Sequence, residues 1–182
     1  MIVHAPIGTF DRFMAAITQQ FGDPTFSILK AHLIFEEILR TYLERRLPNA
    51  KAIAGARLTF AQTLALVRAL QPPASDGWEW EAVAKLNALR NQFAHHLSPS
   101  ERDSKISEYV TFVVARSGHP LPEPAGKVAS APADGGPFYQ AVDMVNAGLF
   151  TVVALLLGFR EDESLADLTG RSSGPPSAAA EL

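Results

Sequence analysis

Apolar residues recur at helical spacing along most of this chain, and strong helix start signals separate the runs. Thr59 and Gln62 have the pattern of a capping box, in which each side chain satisfies a backbone amide at the start of a helix. Ser98 and Glu101 repeat that pattern. Asp23-Pro24 places a capping residue before a proline at the first helical position. No strand signal rises above this background, so the sequence predicts an all-α, up-and-down bundle of five or six helices.

The helices are expected in six segments, each with an apolar face. They are residues 10–21, 24–46, 59–70, 77–97, 99 onward and 138–159. A third capping box, Asp76 with Glu79, begins the fourth segment, and residues 48–57 read as a loop. Leu29, Leu33 and Leu70 are expected on the buried faces of their helices.

The segments group into one domain with a flexible insert and a tail. Residues 1–159 are expected to form the bundle. Residues 117–137 are rich in Pro, Gly, Ala and Ser, and such a segment buries too little apolar surface to offset its ordering entropy. They are therefore predicted to be a mobile insert, and residues 160–182 a mostly disordered tail.

Composition narrows the classes of function. The formal net charge of −3 over 182 residues gives no electrostatic footprint for strong duplex binding, although a local basic cleft stays compatible with it. The absence of cysteine excludes disulfides and thiolate chemistry, and no secretory signal is visible. Between Asp143 and Arg160, the uncharged run is shorter than the roughly 18 to 20 residues of a spanning helix. We therefore expect a cytoplasmic protein without a membrane segment.

The segment from Leu86 to Leu97, LNALRNQFAHHL, combines an apolar stripe with three chemically active side chains. On a helix, Arg90 falls near the edge of the stripe, while Asn91 and His95 stack on an adjoining face because they are four residues apart. A guanidinium, an amide and an imidazole are therefore predicted to share one surface.

These three groups suit cleavage of RNA. Attack of a ribose 2′-hydroxyl on the neighbouring phosphate needs a base to remove the proton and a cation to stabilise the developing charge. His95 titrates near neutral pH and Arg90 has the fork geometry that matches phosphate. Asn91 can hold the imidazole or a substrate oxygen. No metal or other cofactor is required by this chemistry.

The string Arg90-Asn91-x-x-x-His95 resembles the Arg-x(4 to 6)-His signature of HEPN domains, with the polar residue that commonly follows the arginine. The stretch HLIFEEILRTYLERRL, from His32 to Leu47, is similar to an early helix of such proteins. The resemblance covers roughly residues 10–158, although its specific motif is only six residues long.

The resemblance implies a helical bundle and, in many members, a metal-independent endoribonuclease that acts as a toxin or a phage-defence component. HEPN proteins commonly dimerise so that two Arg-His motifs face one cleft, which implies a homodimer here. Arg90 and His95 carry over as the catalytic pair, with Asn91 as their polar neighbour. Toxins of this kind that are neutralised by AMP attachment often have a tyrosine two residues after the motif histidine. This chain has Leu97 there, which argues against that form of control by an antitoxin.

Two other classes of function stay open from the sequence. The chain also resembles the non-catalytic, mannitol-operon-repressor-like proteins, in which Arg90 and His95 would hold the bundle together or bind a regulatory partner. A membrane-associated protein, anchored through the last apolar helix, is a third reading.

Several neighbouring residues have both a functional and a structural interpretation. Glu36 lies one turn after His32, so the two share a helix face, and Glu36 either pairs with Arg90 or belongs to a solvated surface. His32 and Glu36 are therefore possible supporting residues of the site. A metal site is not expected, because the adjacent histidines His95 and His96 diverge on a helix.

Aromatic and basic residues near the motif are interpreted as structural. Trp78 and Trp80 could stack bases, but burial against the bundle is the favoured reading. A basic run near the end of the second segment is better explained by a favourable position at a helix C-terminus than by guidance of RNA. Its members are Arg40, Arg45, Arg46, Lys51 and Arg57.

Overall fold

The structure, a computed structural model, describes residues 24–75, 77–93, 98–118 and 136–159. Within these ranges it contains six α-helices and no strand, which confirms the predicted all-α fold for this part of the chain. The helices are α1 (Pro24–Arg46), α2 (Lys51–Ala54), α3 (Phe60–Ala69), α4 (Trp78–Phe93), α5 (Pro99–Ser117) and α6 (Gly136–Leu156). The helix predicted at residues 10–21 and the tail 160–182 lie outside the described residues.

Two helices form the centre of the bundle. The first, α1, packs against α3, α4 and α6, while α4 also contacts α3, α5 and α6. The largest side chains that are fully buried between them include Trp80, Phe35 and Phe150. The indole Nε1 of Trp80 donates to the carbonyl oxygen of Ser75 at 2.8 Å, so the one polar atom of this core residue is satisfied.

The capping boxes predicted at the starts of α3 and α5 are both formed. The Gln62 amide donates to Thr59 Oγ1 at 3.3 Å, and the Thr59 amide donates to Gln62 Oε1 at 2.9 Å. Ser98 and Glu101 make the reciprocal pair at 2.9 and 3.4 Å. Asp76, of the third predicted box, lies outside the described residues. The cap residues therefore define where α3 and α5 begin.

Residues 48–57 are not wholly a loop, because they contain the short helix α2. Its first turn is closed by hydrogen bonds from Ala52 to Asn49 and from Ile53 to Ala50, both at 3.1 Å. Ile53 is half-buried against the core. The prediction was wrong here because tertiary burial of one isoleucine stabilises a turn too short to show helical periodicity in the sequence.

Three leucines that were expected to be buried face outward. Leu29 and Leu33 of α1 are 38% and 63% exposed, and Leu70, the C-cap of α3, is 43% exposed. Helical spacing alone placed the leucines of α1 with Phe35 and Ile38, which are buried. A helix of 23 residues turns many times, and the face that its neighbours cover is decided by where those neighbours pack.

Both ends of the predicted insert at 117–137 belong to helices in the structure. Helix α5 continues through Ser117 and ends at Gly118, whose φ of 67° is the left-handed cap that glycine adopts without a Cβ penalty. Helix α6 begins at Gly136, two residues earlier than expected. Residues 119–135 lie outside the described part of the chain.

A chain of buried polar side chains joins three helices. The Tyr109 hydroxyl of α5 donates to Asn146 Oδ1 of α6 at 2.9 Å, and Asn146 Nδ2 donates to Ser27 Oγ of α1 at 3.4 Å. Ser27 Oγ in turn donates to Asp143 Oδ1 of α6. Burial raises the pKa of Asp143, against the lowering effect of the Ser27 hydrogen bond. Burial also raises the pKa of Tyr109. Each donor points toward the carboxyl group, and this fixes the register of α6 against α1 and α5.

The apolar helix α6 is the one that raised the membrane question. In the part of the chain that the structure describes, no helix combines the length and the apolar character that a membrane span needs. The apolar residues Val142, Phe150 and Val153 of α6 are buried in the bundle.

Candidate functional site

Arg90 and Asn91 lie on the last turn of α4, where both side chains are exposed. Arg90 Nη1 donates to Asn91 Oδ1 at 3.1 Å, so the two side chains form one hydrogen-bonded unit at the surface. The apolar stripe of the same helix, which includes Val83, Leu86 and Leu89, is buried. The predicted separation of a packed face from a polar face is therefore confirmed for α4 up to Phe93.

His95 lies outside the described residues, as does Leu97. Helix α4 is described through Phe93, and the next described residue is Ser98, the cap of α5. The proximity of His95 to Arg90 consequently stays a prediction from their spacing in the sequence.

His32 is 5% exposed and lies between α1, α3 and α4. Its ring stacks on Phe60 of α3, with centroids 4.3 Å apart and an interplanar angle of 28°. Its Nε2 lies 3.0 Å from Asn87 Oδ1 of α4. Since Asn87 precedes Arg90 by three residues and Asn91 by four, the histidine contacts the polar side of α4 one turn before the exposed pair.

Glu36 is half-buried on α1, one turn after His32. Its carboxylate pairs with Arg40 of the same helix at 3.0 Å, and Arg40 also approaches the carbonyl oxygen of Leu58 at 3.4 Å. One of the two sequence interpretations paired Glu36 with Arg90. Among the described contacts, Glu36 instead pairs with Arg40 of its own helix. The negative charge of Glu36 nevertheless raises the pKa of His32.

The electrostatics of His32 connect it to the motif. Burial is the largest effect and lowers the pKa of His32 below its ordinary value of 6.5. The Asn87 hydrogen bond raises it, the positive charge of Arg90 lowers it and the negative charge of Glu36 raises it. The net lowering favours the neutral imidazole of His32 at neutral pH, and the charge of Arg90 contributes to that lowering.

Two residues of this site were missed by the sequence analysis. Asn87 stacks one turn before Asn91, and a helical wheel of α4 places it beside Arg90, so its position was readable. Phe60 carried no such signal, because only the tertiary packing of α3 against α1 brings its ring under His32. We call the group His32, Phe60, Asn87, Arg90 and Asn91 the motif surface.

A cleft of about 210 Å³ lies on the other side of α4, between that helix and α5. Its walls include Lys85, Gln92, Lys105 and Glu108. Both lysines have acidic neighbours, because Lys85 pairs with Glu81 at 3.4 Å and Lys105 with Glu108 at 2.9 Å. The cleft is therefore balanced in charge and is a weaker anion site than its lysines alone imply.

The tryptophans and two arginines of the basic run pack against the bundle. Trp80 is fully buried, as favoured, and Trp78 is half-buried, so Trp80 presents no ring face to a base. Arg45 lies over the ring of Phe159, with its guanidinium carbon 4.7 Å from the centroid, and Arg46 lies over Tyr42 at 5.6 Å. Both arginines are in the last turn of α1, where a cation is favourable.

The donor groups around the motif surface do not form a metal cage. Within residues 24–75, 77–93, 98–118 and 136–159, no three His, Asp or Glu side chains come together as ligands. The polar groups of the motif surface are a guanidinium, two amides and an imidazole, and its fifth member is the phenyl ring of Phe60. Comparison with known proteins adds no family to this picture: no family model, curated protein or solved structure matches the chain.

Proposed function

We propose that the protein is a metal-independent endoribonuclease of the HEPN type, acting on single-stranded RNA or RNA loops. The observation that supports this most is the exposed, hydrogen-bonded Arg90–Asn91 pair at the end of α4. An arginine that faces solvent and is oriented by its neighbour is in place to bind a phosphate by two parallel hydrogen bonds.

The roles follow from the chemistry of RNA cleavage. His95 acts as general base or general acid: as base it takes the proton of the ribose 2′-hydroxyl, whose oxygen then bonds to the adjacent phosphorus. The bond from phosphorus to the 5′-oxygen breaks, and the leaving oxygen takes the proton that the His95 imidazolium now carries. Arg90 stabilises the negative charge on the phosphoryl oxygens, and Asn91 positions the guanidinium through its Oδ1. The products are a 2′,3′-cyclic phosphate and a 5′-hydroxyl.

A homodimer forms part of this proposal. Leu29 and Leu33 are exposed one turn apart on α1, and Leu33, at 63%, is the most exposed large apolar side chain among the described residues. Leu33 directly follows His32, which reaches Asn87 of the motif surface. A second copy seated on these leucines would bring its own motif surface close to the first, and two Arg-His motifs would share one cleft. An antitoxin would then act by covering this surface, since Leu97 replaces the tyrosine used for AMP attachment.

The decisive test is an RNA-cleavage assay on the purified chain and on the variants Arg90→Ala and His95→Ala. Both variants should lose about a hundredfold or more of the activity, because each removes a charge or proton transfer from the transition state. Arg116→Ala is the matched control. It removes an exposed arginine in the last turn of α5, about 25 Å along that helix from Pro99, and should leave cleavage unchanged.

Two chemical controls sharpen the result. An RNA with a single 2′-deoxy nucleotide at the cleavage position should be resistant there, because the attacking hydroxyl is missing. A chelator should leave the rate unchanged. Equal activity of the wild type and both alanine variants would show that the assigned pair does not catalyse cleavage.

A non-catalytic interaction module is the second candidate, and the exposed Leu29 and Leu33 favour it as well. In that case the wild type cleaves no RNA, and the same two leucines bind a regulatory partner. The cleavage assay therefore distinguishes the two candidates directly.

A further inference from the structure

His32 contacts two other members of the motif surface, Phe60 and Asn87. Its ring is stacked on Phe60 and its Nε2 is 3.0 Å from Asn87 Oδ1. Three helices therefore meet on one imidazole: α1 supplies it, α3 supports its face and α4 receives its hydrogen bond. Asn87 is one turn from both Arg90 and Asn91, so a displacement of Asn87 moves the exposed pair as well.

The hydrogen bond to Asn87 selects the tautomer of the neutral ring. A side-chain carbonyl oxygen accepts only, so Nε2 must carry the proton. Burial, together with the charge of Arg90, lowers the pKa of His32 and favours the neutral ring, whereas Asn87 and Glu36 oppose this. The charged groups that act on the ring are thus Glu36 of α1, which pairs with Arg40, and Arg90 of α4; the neighbour from α3 is the uncharged Phe60.

We propose that His32 is a positioning residue for the Arg90–Asn91 pair: its ring, stacked on Phe60, hydrogen bonds to Asn87 and fixes the end of α4 relative to α1. This inference rests on the proposed function for its catalytic consequence. It does not make His32 a proton carrier, because a ring that is 5% exposed has little access to solvent or substrate.

The same geometry links the motif surface to pH. A protonated His32 would place a second positive charge near Arg90 in a poorly solvated position, and the two cations would repel each other. Activity should therefore fall on the acid side as His32 becomes charged, in addition to any effect of His95.

The first experiment measures the coupling without requiring any cleavage. The ring of His32 is titrated by NMR in the full-length wild type and in the Arg90→Ala, Asn87→Asp and Arg116→Ala variants. Arg90→Ala should raise the pKa of His32 because a positive charge is removed, and Asn87→Asp should raise it because a negative charge is added. Arg116→Ala should leave it unchanged. A His32 that titrates at its ordinary value and does not respond to Arg90→Ala overturns the proposal.

The second experiment tests positioning through cleavage. His32→Gln places an amide N–H near the position of Nε2, so it should keep most of the activity and lose the acid-side dependence on His32. His32→Ala should lower kcat by about tenfold or more, as misplacement of a catalytic group does. Asn87→Ala removes the acceptor at a half-buried position and should reproduce the loss, which keeps the test valid if His32→Ala does not fold.

The two proposals fail in different ways. A wild type that cleaves no RNA overturns the proposed function, and the NMR titration still decides whether His32 and Arg90 are coupled. A wild type that cleaves RNA, together with folded His32→Ala and Asn87→Ala variants of equal activity, overturns the positioning role alone.

Discussion

Replacing Tyr109 by phenylalanine removes one buried hydroxyl and keeps the aromatic ring. The hydroxyl donates to Asn146 Oδ1 at 2.9 Å and is the first donor of the chain that continues through Ser27 to Asp143. Because the ring of Tyr109 stays in the core, the substitution changes hydrogen bonding far more than packing. Its effect on the free energy of unfolding therefore measures what the polar chain contributes.

The magnitude follows from the burial of Asn146, which is 0% exposed. With its donor gone, Asn146 Oδ1 cannot turn to bulk water, and an unsatisfied buried acceptor costs about 1–3 kcal/mol. For a chain of this length, each kcal/mol lowers the melting temperature by roughly 2–4 °C. A loss within this range is expected for Tyr109→Phe at neutral pH, where the tyrosine is protonated; burial raises its pKa still further above neutral.

Tyr42→Phe provides a matched control. The Tyr42 hydroxyl accepts from Gln71 Nε2 at 2.7 Å, but the Gln71 side chain is only half-buried, so water can replace the lost partner. We expect a cost of about 0.5–1 kcal/mol for this variant. Urea denaturation followed by circular dichroism measures both. If Tyr109→Phe costs no more than Tyr42→Phe, the buried chain does not stabilise the fold and the reasoning from its burial is wrong.

Three further predictions concern stability and assembly. Asp143→Asn should be more stable than the wild type near neutral pH. Burial raises the folded-state pKa of Asp143 above its ordinary value of 3.8, so the wild type loses stability as pH rises from 3.8 through the raised pKa. Below pH 3.8 the denaturation midpoints of the two proteins should converge. Thr59→Ala should cost about 1 kcal/mol by removing the cap of α3, whereas Thr111→Ala on the exposed side of α5 should cost nothing; comparable losses in melting scans would contradict the capping argument. Leu33→Glu should convert the proposed homodimer to a monomer in light scattering, and Leu66→Glu on α3 should not; a dimer that survives Leu33→Glu places the interface elsewhere.

The polar side of the site was only partly readable from the sequence. Helical spacing predicted Arg90 near the edge of the apolar stripe and Asn91 on an adjoining face, and both side chains are exposed on α4. Asn87 obeys the same spacing and could have been included. Phe60 and the pairing of Glu36 with Arg40 could not, because contacts between α1 and α3 depend on how two helices dock and not on the period of either one.

The buried polar chain shows the same division. Asp143 and Asn146 are three residues apart in an otherwise apolar run, which indicates that they share a face of α6. Nothing in that spacing identifies Ser27, more than a hundred residues away, or Tyr109 as their partners. Those partners had to exist, because buried polar groups are costly without hydrogen bonds, but their identity depends on the packing of α1, α5 and α6.

The sequence by itself determined the helical class and the starts of α1, α3 and α5, because prolines and capping boxes act on backbone amides within one turn. It also determined that the apolar residues of α4 share one face of the helix and that Arg90 and Asn91 lie beside that face. Only the tertiary structure decided that Leu29 and Leu33 face outward and that His32 is enclosed between Phe60 and Asn87. The physical reason is range: caps and periodicity act over a few residues, whereas burial depends on which distant helix happens to cover each face.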